Sequence, residues 1–137
     1  MKVTLKRFNS KDLYKLRSIL DEETAELAHI QWPFNKEAAA QFINDYNTWG
    51  VWVNHGTLVG AVEVKEDLET AYFIKDGWRN NGVGTKAIQL CIKEFGEHQL
   101  WCIIEPNNKA SLRAAQKGGL RVKFINPDNK DLITVVK

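Results

Sequence analysis

From Ile74 to Thr85 the chain reads Ile-Lys-Asp-Gly-Trp-Arg-Asn-Asn-Gly-Val-Gly-Thr. A strand leads into this segment and a helix leaves it. Glycines there let the backbone approach an anion closely, and the first helical turn offers unpaired N–H groups at the positive end of its dipole. Arg79, shortly before Gly82, adds a cation. The chemistry this suggests is phosphate binding, and two nucleotide motifs compete for it. Gly77 and Gly82 have Walker A spacing, but Val83 and Gly84 stand where Lys and Ser/Thr are required, which excludes a P-loop. Gly82-Val83-Gly84-Thr85-Lys86-Ala87 fits the dinucleotide pattern, and Glu105 ends the next strand where a ribose-binding acid could lie. Against that reading, Gly82 follows Ile74 too late, and the chain beyond is too short for a doubly wound sheet.

The elements that position this loop follow from periodicity. Residues 3–8 alternate as a half-buried strand, and Ser10 sits where a helix cap belongs. Leu13, Leu16, Ile19 and Leu20 mark a first helix, and residues 37–46, after Asn35 as a cap, mark a second. Residues 51–53, the turn Asn54-His55-Gly56 and residues 58–64 predict a hairpin, and Thr70–Ile74 a further strand. A helix then runs to about Gly96, followed by a buried strand at 100–104 and a short helix at 108–117 closed by Gly118-Gly119. Two last strands cover 122–125 and 132–136. The predicted order is β α α β β β α β α β β.

Composition bounds the function. The 137 residues suit one domain, 1–137, and the 44% hydrophobic, 26% charged make-up is that of a globular chain without a linker. The longest uncharged apolar runs are strand-length, and residues 1–9 lack the apolar core of a secretory signal. A cytoplasmic protein, off the membrane, is expected. Cys91 and Cys102 have no CxxC spacing, and His29, His55 and His98 are far apart, so buried thiols and no metal are expected. A net charge of +2 gives no reason to expect a nucleic-acid partner, but it is unevenly spread. Residues 1–77 hold nine basic and twelve acidic side chains, whereas 78–137 hold ten and five, so an anionic ligand is expected in the second half.

Two motifs then converge. Arg79-Asn80-Asn81-Gly82-Val83-Gly84 matches R/Q-x-x-G-x-G/A opening a helix. Asn108-Lys109-Ala110-Ser111, with Lys117-Gly118-Gly119-Leu120, matches an Asn closing the next strand, a small residue three positions on, and a Lys-x-Gly-Phe ending. Through both, over roughly residues 70–125, the chain resembles the GCN5-related N-acetyltransferase (GNAT) superfamily. The resemblance implies a mixed α/β fold: a mostly antiparallel seven-stranded sheet, splayed between strands four and five and flanked by about four helices. It implies acetyl-CoA as cofactor, its pantetheine arm pairing with the backbone of Phe73 and Ile74 as an added strand would. The pyrophosphate would lie on the N–H groups of Asn80, Asn81, Gly82, Val83, Gly84 and Thr85, with a charge-assisted contact from Arg79. Asn108 would reach the arm, and Ser111 would lie near the sulfur.

Asp76, Asn80 and Leu120 depart from the family pattern where Pro, Gly and Phe are common, and Ala115 stands where many members carry a Tyr acid. The Asn-x-x-Ser pattern is more similar to the branch that acetylates ribosomal-protein N-termini. The implied reaction moves an acetyl group to the primary amine of a small molecule or peptide by direct attack in a ternary complex, and a homodimer is compatible with it. Such an amine must first lose a proton, and Glu69, Glu105 and Glu63 are the candidate bases, each also readable as a solvated strand residue. Ser111 is the nearest hydroxyl to the departing sulfur. Trp32, Phe34 and Tyr72 are expected at the acceptor site, and the run Asp21-Glu22-Glu23-Glu26 suggests a cationic acceptor. The alternative is a catalytically silent acetyl-CoA-binding sensor or partner-binding module of the same fold.

Overall fold

The structure is a computed structural model that describes residues 1–137 except His29, Tyr46 and residues 126–132. Tyr46 as the end of the second helix, and Leu132 as the start of the last strand, lie outside the described residues. After β1 (Val3–Lys6), Asn9 rather than Ser10 makes the cap. Its Oδ1 accepts from the Lys11 N–H at 2.8 Å and its own N–H donates to Asp12 Oδ2 at 2.8 Å, a reciprocal capping box over a 3-10 turn at Ser10–Asp12. This turn feeds α1 (Leu13–Ile19).

The acidic run that follows is itself a helix, α2 (Glu22–Leu27), so the described chain holds five α-helices rather than four. Asp21 Oδ1 accepts from the Thr24 N–H at 2.7 Å and starts it. Periodicity missed this helix because it buries only Thr24 and Ala25. Capped by Asn35 as expected, α3 (Lys36–Asn44) leads into β2 (Thr48–Val53) and β3 (Thr57–Val64), joined through Asn54 and His55 with φ of 50° and 72°. Then come β4 (Thr70–Ile74), α4 (Val83–Phe95), β5 (Trp101–Ile104), α5 (Lys109–Gly118), β6 (Arg121–Ile125) and β7 (Ile133–Val136).

The strands form two antiparallel ladders, β1-β2-β3-β4 and β5-β7-β6. Between β4 and β5 there is one parallel bridge, Glu69 to Trp101, supported by the Trp101 N–H donating to the Leu68 carbonyl at 3.2 Å. Beyond that bridge the sheet splays. Alternation along the strands sorts the core into two layers. Val51, Val53 and Val62 pack with Val83, Ala87 and Cys91 of α4, while Trp52, Ala61 and Phe73 pack with Leu16, Ile19, Ala39 and Ile43 of α1 and α3. The gap between β4 and β5 therefore joins two faces that the sheet otherwise separates. Among the described residues, no helix is long and apolar enough to cross a membrane.

Candidate active site at the splay

Two cavities open at this gap. The larger, about 600 Å³, is lined by the starts of α4 and α5, by residues 72–74 of β4 and by one side of α2. The smaller, about 120 Å³, is lined by Glu63, Lys65 and Glu69, by Phe42 of α3 and by residues 102–104 of β5. They share Leu27, Ala28, Tyr72, Phe73, Asn108 and Ser111.

The loop before α4 builds the first cavity. Asn80 has φ 63° and Gly82, the N-cap of α4, has φ 90°, both left-handed. Asn is the non-glycine residue that most readily adopts this conformation, so it can stand at position 80 where glycine is common in the family. Because Gly82 carries no capping side chain, the first N–H groups of α4 stay available. Arg79 donates from Nε to the Ile74 carbonyl at 3.0 Å and from Nη2 to Thr24 Oγ1, so it ties β4 to α2 as well as carrying charge beside the cavity. Lys86, Arg113 and Lys117 also line it, and no carboxylate does. Arg113 Nη2 donates to Asn80 Oδ1 at 3.0 Å. This backbone cradle, ringed by cations and long enough to reach the gap, suits an elongated phosphate-bearing ligand. Asn81 and the side chain of Val83, which is buried in the core, do not line it.

At the junction, Asn108 Oδ1 accepts from the Ser111 N–H at 3.3 Å and caps α5. Ser111 Oγ donates to Tyr72 Oη at 2.7 Å, and Tyr72 Oη donates to the Ser111 carbonyl at 2.5 Å. Burial pushes the Tyr72 phenol well above its ordinary value. Ala115 faces the other way, fully buried with Ile88, Cys102, Ile104 and Leu120. Gly118 lets α5 meet α4, since a Cβ there would stand 2.6 Å from Ile88.

A family model described as an acetyltransferase (GNAT) domain matches residues 2–121. The chain belongs to this GNAT family. Among curated proteins none matches it significantly. Solved structures show the same fold. A GNAT-family acetyltransferase from Bacillus anthracis aligns with TM-score 0.80 at 18% identity, over 100% of this chain and 95% of that one. A "putative ribosomal-protein-serine acetyltransferase" from Vibrio cholerae aligns with TM-score 0.73 at 20% identity, over 100% and 94%. AAC(6')-Ib in complex with ribostamycin and coenzyme A gives TM-score 0.76 at 15% identity, over 100% and 93%.

Within this GNAT fold the smaller cavity brings together only part of the expected acceptor site. Glu63 and Glu69 line it; Glu105, at the end of β5, does not. Glu63 is half-buried, and its carboxyl is held above the ordinary carboxylate range first by burial and then by hydrogen bonding and repulsion from Asp45. Glu69 Oε2 lies 3.4 Å from Lys65 Nζ. Tyr72 lines both cavities, whereas Trp32 and Phe34 line neither. Phe34 is drawn into the core by an edge contact with Phe42, and Trp32 is left 43% exposed. Phe42 is thus the aromatic wall that the sequence reading missed. The run Asp21-Glu22-Glu23-Glu26 faces solvent. Also missed were Lys86, Arg113 and Lys117, although Arg113 and Lys117 lie four positions apart and so on one face of α5. Cys102 lines the smaller cavity, but burial pushes its thiol up to about 12. Among the described residues no three His, Cys, Asp or Glu side chains gather as metal ligands.

Proposed function

We propose that residues 1–137 form one domain that transfers an acetyl group from acetyl-CoA to a primary amine by direct attack. What carries this reading is the meeting of a cationic, carboxylate-free cavity with a carboxylate-bearing one at a gap through the sheet. Acetyl-CoA, when bound, supplies an activated thioester. The N–H groups opening α4, with Arg79, Lys86, Arg113 and Lys117, would hold its phosphates, and the edge of β4 turned away from β3, at Tyr72 and the Ile74 N–H, would pair with its amide-bearing arm. The main-chain N–H of Ile74, turned away from β3, would stabilise the charge that develops on the carbonyl oxygen, and Ser111 would face the sulfur.

The amine enters from the smaller cavity as an ammonium with pKa about 10 and gives its proton to a base. Support for Glu63 in that role is its raised affinity for a proton and its place in the cavity wall. Glu69, paired with Lys65, sets the local charge beside it. The acceptor is a small-molecule or peptide amine. AAC(6')-Ib, with ribostamycin and coenzyme A, illustrates the first kind on this fold. The Asn108-to-Ser111 pattern favours the second, a protein N-terminus, and the Vibrio cholerae neighbour, described as a "putative ribosomal-protein-serine acetyltransferase", carries a protein-directed description on the same fold.

The test is thiol release from acetyl-CoA across polyamines, ribostamycin and peptides with free N-termini. Turnover of at least one amine is expected. Tight acetyl-CoA binding with turnover of none would replace catalysis by sensing, and absence of CoA binding would end both readings.

A further inference from the structure

The hydroxyl that this chain lacks at Ala115 has a counterpart across the gap. Tyr72 extends from β4, paired with Val62 on the sheet face that carries α4. Its phenol reaches the first turn of α5 and makes both available hydrogen bonds with one residue: it receives the Ser111 hydroxyl at 2.7 Å and donates to the Ser111 carbonyl at 2.5 Å. Ala115 is absent from the lining of either cavity, whereas Tyr72 and Ser111 line both. A group passing from the phosphate-binding side to the carboxylate side passes this pair.

We infer that Tyr72 and Ser111 form a two-hydroxyl relay on the leaving sulfur, in which Tyr72 is a positioning residue that acts through Ser111. The inference rests on the acetyl-transfer reading and adds to it the group that receives the departing charge. In the resting arrangement the Ser111 proton points at Tyr72 Oη and the Tyr72 proton at the Ser111 carbonyl. As negative charge gathers on sulfur, the Ser111 O–H rotates toward it. The phenol proton then turns from the carbonyl to Ser111 Oγ, a short rotation that keeps every hydroxyl paired.

The proton and electron balance is closed without consuming either hydroxyl. The ammonium's first proton passes through the carboxylate base to solvent before attack; the C–N bond then forms with the amine lone pair, the C–S bond breaks with its pair left on sulfur, and the second nitrogen proton, lost as the amide forms, goes to the same base. Sulfur leaves as a hydrogen-bonded thiolate. Full transfer from the phenol is uphill, because burial raises its pKa while a thiol ionises at about 8.5. The relay is therefore a hydrogen-bond donor chain and not a proton source.

The experiment titrates the thiol of bound CoA by the ultraviolet absorbance of its thiolate in the wild type, Tyr72→Phe, Ser111→Ala and the double variant. Calorimetry with CoA and desulfo-CoA accompanies it, and kcat follows on the best amine. The wild type should hold the bound thiol pKa below that of free CoA. Tyr72→Phe should lose about tenfold of the thiolate preference and of kcat, near the lower end expected for a hydrogen bond to a charged group. Desulfo-CoA affinity should change by less than about twofold, and the double variant should lose little more than Ser111→Ala alone, as expected for residues acting as one unit.

An unchanged thiol pKa in Tyr72→Phe would overturn the relay. So would a loss shared equally by CoA and desulfo-CoA, which would make Tyr72 a brace between β4 and α5. Additive losses in the double variant would also overturn it. If the wild type binds CoA but turns over no amine, the titration still judges the pair. If it binds neither CoA nor desulfo-CoA, the underlying reading fails and the pair with it.

Discussion

The two cavities that meet at the splay are built from different materials. The larger takes its specificity from backbone, with left-handed residues at Asn80 and Gly82, the opening of α4 and the edge of β4, ringed by Arg79, Lys86, Arg113 and Lys117. The smaller depends on side chains from separate elements, with Glu63 of β3, Glu69 before β4, Phe42 of α3 and Cys102 of β5. Backbone cradles tolerate substitution at most of their positions, because N–H groups do not depend on residue type. A side-chain pocket changes with each residue. On the proposed assignment, the cofactor side can therefore stay constant in chemistry while the acceptor side is free to diverge.

The largest effect should come from the side-chain pocket. Glu63→Gln should lower kcat/KM by about 10² to 10⁴-fold, the range of a general base, whereas Glu105→Gln should leave it near wild type. The pH profile carries the sign. Since the folded carboxyl is held above its ordinary range, activity should rise with pH through that raised value, and Glu63→Gln should lose this acid limb. Any stability from the protonated Glu63 exists at low pH and is lost as pH rises through the same value. A profile unchanged in Glu63→Gln would move the base to Glu69.

On the backbone side the expected loss is smaller and appears in binding. A Cβ at Gly84 would stand 3.1 Å from Ala114 Cβ, so Gly84→Val must push α4 from α5 and crowd the cradle. CoA affinity by calorimetry should fall by about tenfold to a hundredfold, a cost of about 1–3 kcal/mol of overpacking delivered at the ligand. Unchanged affinity would detach the loop from the cofactor.

Part of this division was readable from the sequence. The glycine loop, the Asn108 and Ser111 pair and the element order apart from α2 were legible because left-handed backbone, helix caps and strand periodicity demand particular residue types close together in the chain. Of the smaller cavity's wall, Glu63, Glu69 and Tyr72 were legible as candidates, but Phe42 and the approach of Asp45 to Glu63 were not, since they arise only through folding. Trp32 and Phe34 look alike in sequence, yet one is exposed and the other packs on Phe42. Ala115 was legible as a missing hydroxyl but not as a core residue, nor was Tyr72 legible as its substitute, because their contacts span β4, α4, β5 and α5.

Ala115→Tyr tests that last point at intermediate size. With no space beside Ile88, Ile104 and Leu120, the added ring should destabilise the fold by about 1–3 kcal/mol and lower Tm without raising kcat. A gain in kcat at constant Tm would show that the side chain reaches the cavity. The smallest effect should be at the thiols. Burial pushes Cys91 and Cys102 up to about 12, so iodoacetamide at about pH 8 should label neither in the folded protein, even though Cys102 borders the smaller cavity. Labelling of Cys102 without unfolding would mean that the pocket wall opens.

The single bridge from Glu69 to Trp101 has a consequence for cooperativity. The ladders β1-β2-β3-β4 and β5-β7-β6 close separately, so either can loosen without breaking the other's rungs, and the plane of least resistance runs between β4 and β5. A ligand that laid amide groups along that seam would supply rungs the polypeptide omits. Two partly independent units would then exchange amide hydrogens as one, with protection gained first at residues 70–74. The molecule would be completed as a folded object by the compound it consumes.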